Sequence, residues 1–254
     1  MEQAGTPPIV RIGMDAPFRW LCAAWRDLWR APLAFLTYGA GIAIVSVLLS
    51  WALYATNLDF WVIVLTAGYV FVAPMLAMGC YEGGRLLEKG CKPTLRQMIF
   101  VRAAFRQDVA YLGLALLMIY FIWTGFAQIV YGASTYQLYK SVPELVAFAV
   151  GTRDGLAMLA IGSLIGGVMA YFTFTFVVVS APMLLDPRAN VFSSTAASFD
   201  AVARNPVCLT IWAAIIAAFI LISAMSGFLL LVLMFPWLGL ASWRAYRELV
   251  PGPL

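Results

Sequence analysis

The residues able to move protons, attack carbon or hold a cation are few in this chain. It contains no histidine, which removes imidazole acid–base catalysis, zincin motifs, Ser-His-Asp triads and haem ligation by histidine. The four cysteines, Cys22, Cys80, Cys91 and Cys208, include no Cys-x-x-Cys pair. A four-thiolate metal site is conceivable on paper, but free thiols are the expectation. Haem held by Met or Cys is permitted by eleven methionines, although methionines in apolar helices ordinarily fill packing gaps. Asp59, Glu82, Asp108, Asp154 and Asp186 stand at the ends of apolar runs, whereas an intramembrane carboxylate would mark an ion path. The run centres carry only hydroxyls and one amide: Thr66, Tyr69, Thr124, Gln128, Ser163, Thr173, Thr175 and Ser223. Such groups read first as interhelical hydrogen bonds and second as the lining of a passage. No catalytic residue, no metal site and no cofactor is expected in this chain.

The elements that would position these residues are membrane helices. Apolar residues make up 63% of the 254 and charged residues 11%. Soluble domains carry about 25% charge, so the solvent for this much apolar surface must be lipid. The net charge of +4 is too small and too dispersed for a nucleic-acid footprint. The first thirty residues lack the basic, apolar, small-residue order of a cleavable signal. Residues 17–30, PFRWLCAAWRDLWR, instead read as an amphipathic helix. Phe18, Leu21, Cys22, Trp25, Leu28 and Trp29 form its apolar stripe, and Arg19, Arg26, Asp27 and Arg30 lie off it. Tryptophan and arginine on such a helix favour the headgroup region; a soluble partner-binding helix is the alternative.

Spans are expected at 32–54, 59–80, 108–131 and 155–185, each long enough for a hydrocarbon core of about 30 Å. Residues 207–243 would make one helix about 55 Å long. The small residues of Ser223-Ala-Met-Ser-Gly227 supply a turn, which gives two further spans at 207–223 and 228–246. With six spans, both termini share a side with segments 81–107 and 186–206. That side holds Arg11, Arg19, Arg26, Arg30, Arg85, Lys89, Lys92, Arg96, Arg102, Arg106, Arg188, Arg204, Arg244 and Arg247, leaving Lys140 and Arg153 opposite. The positive-inside rule makes the crowded side cytoplasmic. The organisation expected is a cytoplasmic segment 1–31, a membrane domain 32–250 and a tail 251–254. The fold class is all-α, a polytopic bundle of three helical hairpins with interfacial helices on the cytoplasmic side.

The even-numbered spans end alike, in Ala-Pro74-Met-Leu, Ala-Pro182-Met-Leu and Phe-Pro236-Trp-Leu. The odd-numbered ones begin alike, at Arg30-Ala-Pro32, Arg106-Gln-Asp108 and Arg204-Asn-Pro206. Proline suits a first helical turn, and inside a span it frees a carbonyl and bends the helix. A weak hairpin repeat explains the pattern; chance recurrence of proline at membrane boundaries is the alternative. Pro93-Thr94-Leu-Arg-Gln97 resembles a capping box. Phe192, Ala196, Phe199 and Val202 could form a short apolar face, and 143–150 a short interfacial helix. Gly162, Gly166 and Ala170, like Gly39 to Ala43, are spaced for close helix approach. Arg30, Arg85, Arg106, Arg204, Arg244 and Arg247 are expected to form a cytoplasmic charge ring with Glu88, and Glu82, Asp186 and Glu248 are available to pair with it.

Taken together, APMLAMGCYEGGRLLEKG, FVVVSAPMLLD ending at Asp186, Asn205-Pro206 and FPWLGLASWRAYRELV resemble the bacterial predicted integral membrane proteins of domain of unknown function 2189. The resemblance extends from about Trp20 to Val250. Some family members are provisionally labelled cytochrome c oxidase subunits. Where the family's terminal motif commonly has histidines, this chain has Leu240 and Arg244, so the resemblance implies a structural role. The function expected is a non-catalytic accessory or assembly subunit of a larger bacterial inner-membrane complex, a respiratory terminal oxidase above others. Its partners would be membrane lipids, other integral subunits and a haem-containing oxidase, with no nucleic acid. The alternative is a small-solute or lipid-handling transporter or channel, with a polar cavity touching Thr66, Tyr69, Gln128 and Thr173.

Overall fold

The computed structural model describes residues 8–56, 68–69, 71–135 and 142–252. Every regular element among them is helical. In chain order these are α1 (Ala16–Leu28), α2 (Pro32–Ala55), α3 (Met78–Glu88), α4 (Leu95–Ile99), a 3-10 turn (Arg102–Phe105), α5 (Gln107–Ser134), α6 (Val142–Gly151), α7 (Arg153–Val177), α8 (Ser180–Met183), α9 (Val191–Arg204), α10 (Pro206–Met225) and α11 (Leu231–Leu249). Residues 71–76 are also helical and lead into α3.

Four helices are long and apolar enough to cross a membrane: Pro32–Ala55, Gln107–Ser134, Arg153–Met183 and Pro206–Met225. Residues 59–67 and 70 of the span expected at 59–80 lie outside the described residues. The chain does turn where small residues predict it. α10 ends at Met225, and Gly227 and Phe228 take φ of 63° and 67°. That left-handed geometry is free for glycine and rare for phenylalanine. Phe228 holds it while buried, with its ring stacked on Tyr69 at 5.9 Å.

Beyond this turn, α11 is not a lipid-facing rod. Leu240, Ala241, Trp243, Ala245 and Leu249 are wholly buried. α1, α2 and α3 all pack against it, so α11 is the post around which one end of the molecule is built. The other long helices differ: the most apolar stretches of α2, α5 and α10 are each only 22% buried. A compact core at one end therefore carries sparsely packed apolar helices.

α1 turns a different face inward from the one the stripe predicts. Ala16, Trp20, Ala24, Asp27 and Leu28 are buried, while Phe18, Trp25 and Trp29 are exposed. The helix is apolar on two sides: one is buried against the core, and the other carries Phe18 and Trp29 outward, with Trp25 edge-on to Trp237 of α11 at 5.0 Å. α9 is likewise offset. It buries Val191, Ser194, Ala197, Ser198, Ala201 and Val202, leaving Phe192 and Phe199 exposed. Small side chains there allow close packing that the phenylalanines would prevent. The capping box forms, with Thr94 Oγ1 accepting from the Gln97 N–H at 3.4 Å and Gln97 Oε1 from the Thr94 N–H at 3.0 Å.

Candidate functional site

The charged residues gather at the packed end of the bundle. Arg244, near the end of α11, donates from Nε and Nη2 to Asp27 Oδ2 at 2.7 and 2.5 Å. Arg30 Nη1 reaches Asp27 Oδ1 at 3.2 Å. Glu88, at the end of α3, accepts from Arg247 Nε at 3.1 Å and Trp243 Nε1 at 3.2 Å, with Arg244 Nη1 3.9 Å away. The Asp27 side chain is 5% exposed and that of Arg244 31%. A carboxylate this buried is tolerated only because charged donors occupy its oxygens. Asp27 was placed on the polar side by the sequence stripe, and it is the centre of the network. Its position three residues after Ala24 and seven after Trp20, on one helix face, was the available signal.

A second cluster ties α1 to the chain end. Glu248 accepts from Arg19 Nη2 at 2.6 Å and from Trp20 Nε1 at 2.7 Å. Arg19 also pairs with Asp15, and that hydrogen bond holds the Asp15 carboxyl below its ordinary pKa. Asn205 accepts from the Ile12 N–H at 2.8 Å and donates to the Val10 carbonyl at 3.0 Å. The Asn205-Pro206 step is thus a clamp on residues 10–12 as well as a helix entry.

The third cluster is built on Arg106. Nη1 donates to the carbonyls of Leu184 and Asp186 at 3.2 and 2.7 Å, and Nη2 to Ala189 O at 2.8 Å and Asp108 Oδ2 at 3.1 Å. Asp108 Oδ1 accepts from the Val191 N–H at 3.0 Å. The Asp186 carboxylate itself turns to the Arg188 N–H at 2.9 Å. Arg85 pairs with Glu82 at 2.5 Å and Arg204 with Asp200 at 2.8 Å. The expected ring residues are therefore distributed among separate clusters.

The repeated prolines mark breaks in the helical ladder. α7 ends at Val177 and Pro182 lies in α8. Between them Ser198 Oγ accepts from the Val179 N–H at 3.1 Å and donates to the Thr175 carbonyl at 2.7 Å. A buried hydroxyl from α9 thus replaces a lost helical bond and fixes the bend. At the other copy, Pro74 is half-buried, and the Tyr38 hydroxyl donates to the Leu76 carbonyl at 2.6 Å. Pro236 lies buried inside α11, and Pro206 opens α10.

Glycines set the close contacts. A Cβ on Gly39 would stand 2.2 Å from the Val232 carbonyl oxygen, and one on Gly84 2.5 Å from the Trp243 ring. Gly79, Gly83 and Gly239 are as tightly faced by Met98 O, Phe35 and Cys80. Gly162 and Gly166 are looser, 3.9 and 3.7 Å from Val130 and Trp123 on α5, and Ala170 is half-buried beside a cavity. The tight positions in Tyr81-Glu-Gly-Gly-Arg85 were not singled out by spacing.

Two cavities adjoin Tyr69. One of ≈ 360 Å³ lies among α7, α10 and α11, and one of ≈ 910 Å³ between α2 and α5. Gln128 and Thr173 line neither. Gln128 is exposed, and Thr173 is buried, bonded to its own helix at Met169 O; Thr66 lies outside the described residues. Of the described residues expected along a polar passage, Tyr69 alone borders these two cavities. Cys80 and Cys208 are buried while Cys22 and Cys91 are exposed. Among the described residues no three of His, Cys, Asp and Glu come together to hold a metal.

This is an integral membrane protein: several apolar helices with largely unburied surfaces, held at one end by a charged, close-packed core. Residues 62–186 match the model of the family described as Predicted integral membrane protein (DUF2189), so that just under half of the chain is similar to this family. The match contains both Ala-Pro-Met-Leu copies and ends at Asp186, short of the terminal motif. It carries no oxidase label. Neither a curated protein nor a solved structure matches the chain.

Proposed function

We propose that the chain is a non-catalytic accessory or assembly subunit of a larger complex in the bacterial inner membrane, with a haem-containing respiratory oxidase as the partner to test first. The observation that carries this reading is the contrast in packing. α2, α5 and α10 bury little of their apolar surface within the chain, while the charged end is closed by ion pairs and three wholly buried tryptophans, Trp20, Trp212 and Trp243. A rigid end with open membrane faces suits a chain that offers helices to others. In lipid such association is driven by packing and hydrogen bonds rather than by the hydrophobic effect. Purification in mild detergent is expected to bring down a complex with the visible spectrum of haem. Recovery solely as a free monomer or homo-oligomer would overturn the proposal.

The same reading includes six spans with both termini cytoplasmic. It is supported by the turn at Gly227 and by contacts that gather the basic segments. Asn205 touches Val10, Arg106 touches Asp186, Arg244 touches Asp27 and Arg247 touches Glu88. The N-terminal segment, both basic connections and the C-terminal helix end thus meet at one end of the bundle.

A further inference from the structure

The larger cavity follows α2 from Thr37 to Leu49, about 18 Å at 1.5 Å per residue. One leaflet of hydrocarbon is about 15 Å deep, half of a core of about 30 Å. The walls are mainly aliphatic, with Ile42, Val45, Leu116 and Leu117 among them. Three of the hydroxyls along it are already engaged: Ser46 with Tyr69, Tyr38 with the Leu76 carbonyl, and Thr37 with the Leu33 carbonyl. The groove has the length and apolar character of an alkyl chain's berth and offers little to a polar solute.

One rim of the groove is formed by Leu95 and Ile99 of α4. The surrounding segment, 89–105, gathers four exposed cations, where the N-terminal segment has two without an ion pair among the described residues, Arg11 and Arg26. Lys89, Lys92, Arg96 and Arg102 are all exposed, and none has an ion-pair partner among the described residues. Arg19, Arg30, Arg85, Arg106, Arg188, Arg204, Arg244 and Arg247 each have one. Between these cations stand Ile99 and Phe100, with Phe105 just beyond, 53%, 63% and 79% exposed. Exposed aromatic and aliphatic side chains among unpaired cations place a segment at the headgroup level of a bilayer.

We propose that this groove binds an anionic phospholipid, one acyl chain lying along α2 and the phosphate held at Lys92, Arg96 and Arg102. The charge at the rim is complementary to the headgroup and the depth of the groove to the tail. Such a site is independent of whether an oxidase is the partner.

The test uses full-length protein, delipidated in neutral detergent. It is titrated with phosphatidylglycerol or phosphatidylcholine in mixed micelles, and bound lipid is counted by native mass spectrometry. Wild-type protein is expected to retain phosphatidylglycerol in preference to phosphatidylcholine by at least about tenfold. Each charge removed from K92Q, R96Q and R102Q should weaken phosphatidylglycerol binding about fivefold, with phosphatidylcholine little changed. These three residues make no ion pair, so the lipid-free unfolding temperature should not move. Gly41 lines the groove and has open space where a side chain would stand, so Gly41→Phe should lower retention of both lipids. Equal affinity for the two lipids, selectivity surviving the triple substitution, or retention unchanged by Gly41→Phe would each overturn the proposal.

Discussion

At the scale of single residues, Asp27 and Arg244 are unequal partners. The carboxylate is almost wholly enclosed, whereas the guanidinium is about a third exposed. Removing one side of a buried pair leaves the other charge uncompensated, at about 3–5 kcal/mol, while replacing both with apolar groups can be close to neutral. Arg244→Leu leaves Asp27 with Arg30 alone. Asp27→Leu leaves Arg244 free to turn toward Glu88 and the headgroup region. Arg244→Leu is therefore expected to lower the unfolding temperature in detergent more than Asp27→Leu, and the double variant should recover part of the loss. Equal losses that simply add in a double-mutant cycle would show that the pair is uncoupled. Ser198 is a different kind of anchor, because its hydroxyl serves both backbone groups opened at the α7–α8 bend.

At the scale of elements, the legible features were those that depend on local chemistry. Thr94 and Gln97 announce their cap, Gly227 its turn, and residues 143–150 a short helix found as Val142–Gly151. The inward face of each span was not legible. In a soluble helix an apolar stripe marks the core, but in a membrane the lipid-facing side is equally apolar. α2, α5 and α10 are apolar all round, and the four-residue step from Gly39 to Ala43 is the one sequence signal that sets Gly39 apart from Gly41. The structure separates them sharply: a Cβ on Gly39 would strike the Val232 carbonyl, while one on Gly41 meets nothing within 4 Å. Gly39→Ala is accordingly expected to destabilise by about 1–3 kcal/mol through overpacking. Gly41→Ala should be neutral or stabilise by up to about 1 kcal/mol, through helix propensity. Thermal unfolding of the two variants side by side decides this, and a loss at Gly41 comparable to that at Gly39 would contradict the α2–α11 contact. The same blindness explains α1, whose Trp20 face and Trp25 face are both apolar, the first buried and the second left partly open although Trp25 meets Trp237.

At the scale of the molecule, the question is how many times the chain crosses. Four helices satisfy length and hydropathy on their own; α11 does not, because Arg244, Arg247 and Glu248 occupy its last turns. Those charges are spent on Glu88, Asp27 and Arg19 at the packed end, which frees the helix's first half, from Leu231 to Leu240, to lie at membrane depth. On the proposed six-span reading, an α10–α11 hairpin returns the chain to the side it left at Arg204. Fourteen of the sixteen basic residues fall on that side in this arrangement, as the positive-inside rule requires of a cytoplasmic face. A reporter enzyme active only in the periplasm, fused after Leu254, is expected to be silent, and a cytoplasm-dependent fluorescent reporter at the same position bright. Fusions after residue 56 and within 136–141 should show the reverse. A periplasmic signal from the C-terminal fusion would mean an odd number of crossings. It would place Arg247 and Glu88 on opposite sides of the bilayer, which their 3.1 Å contact does not allow.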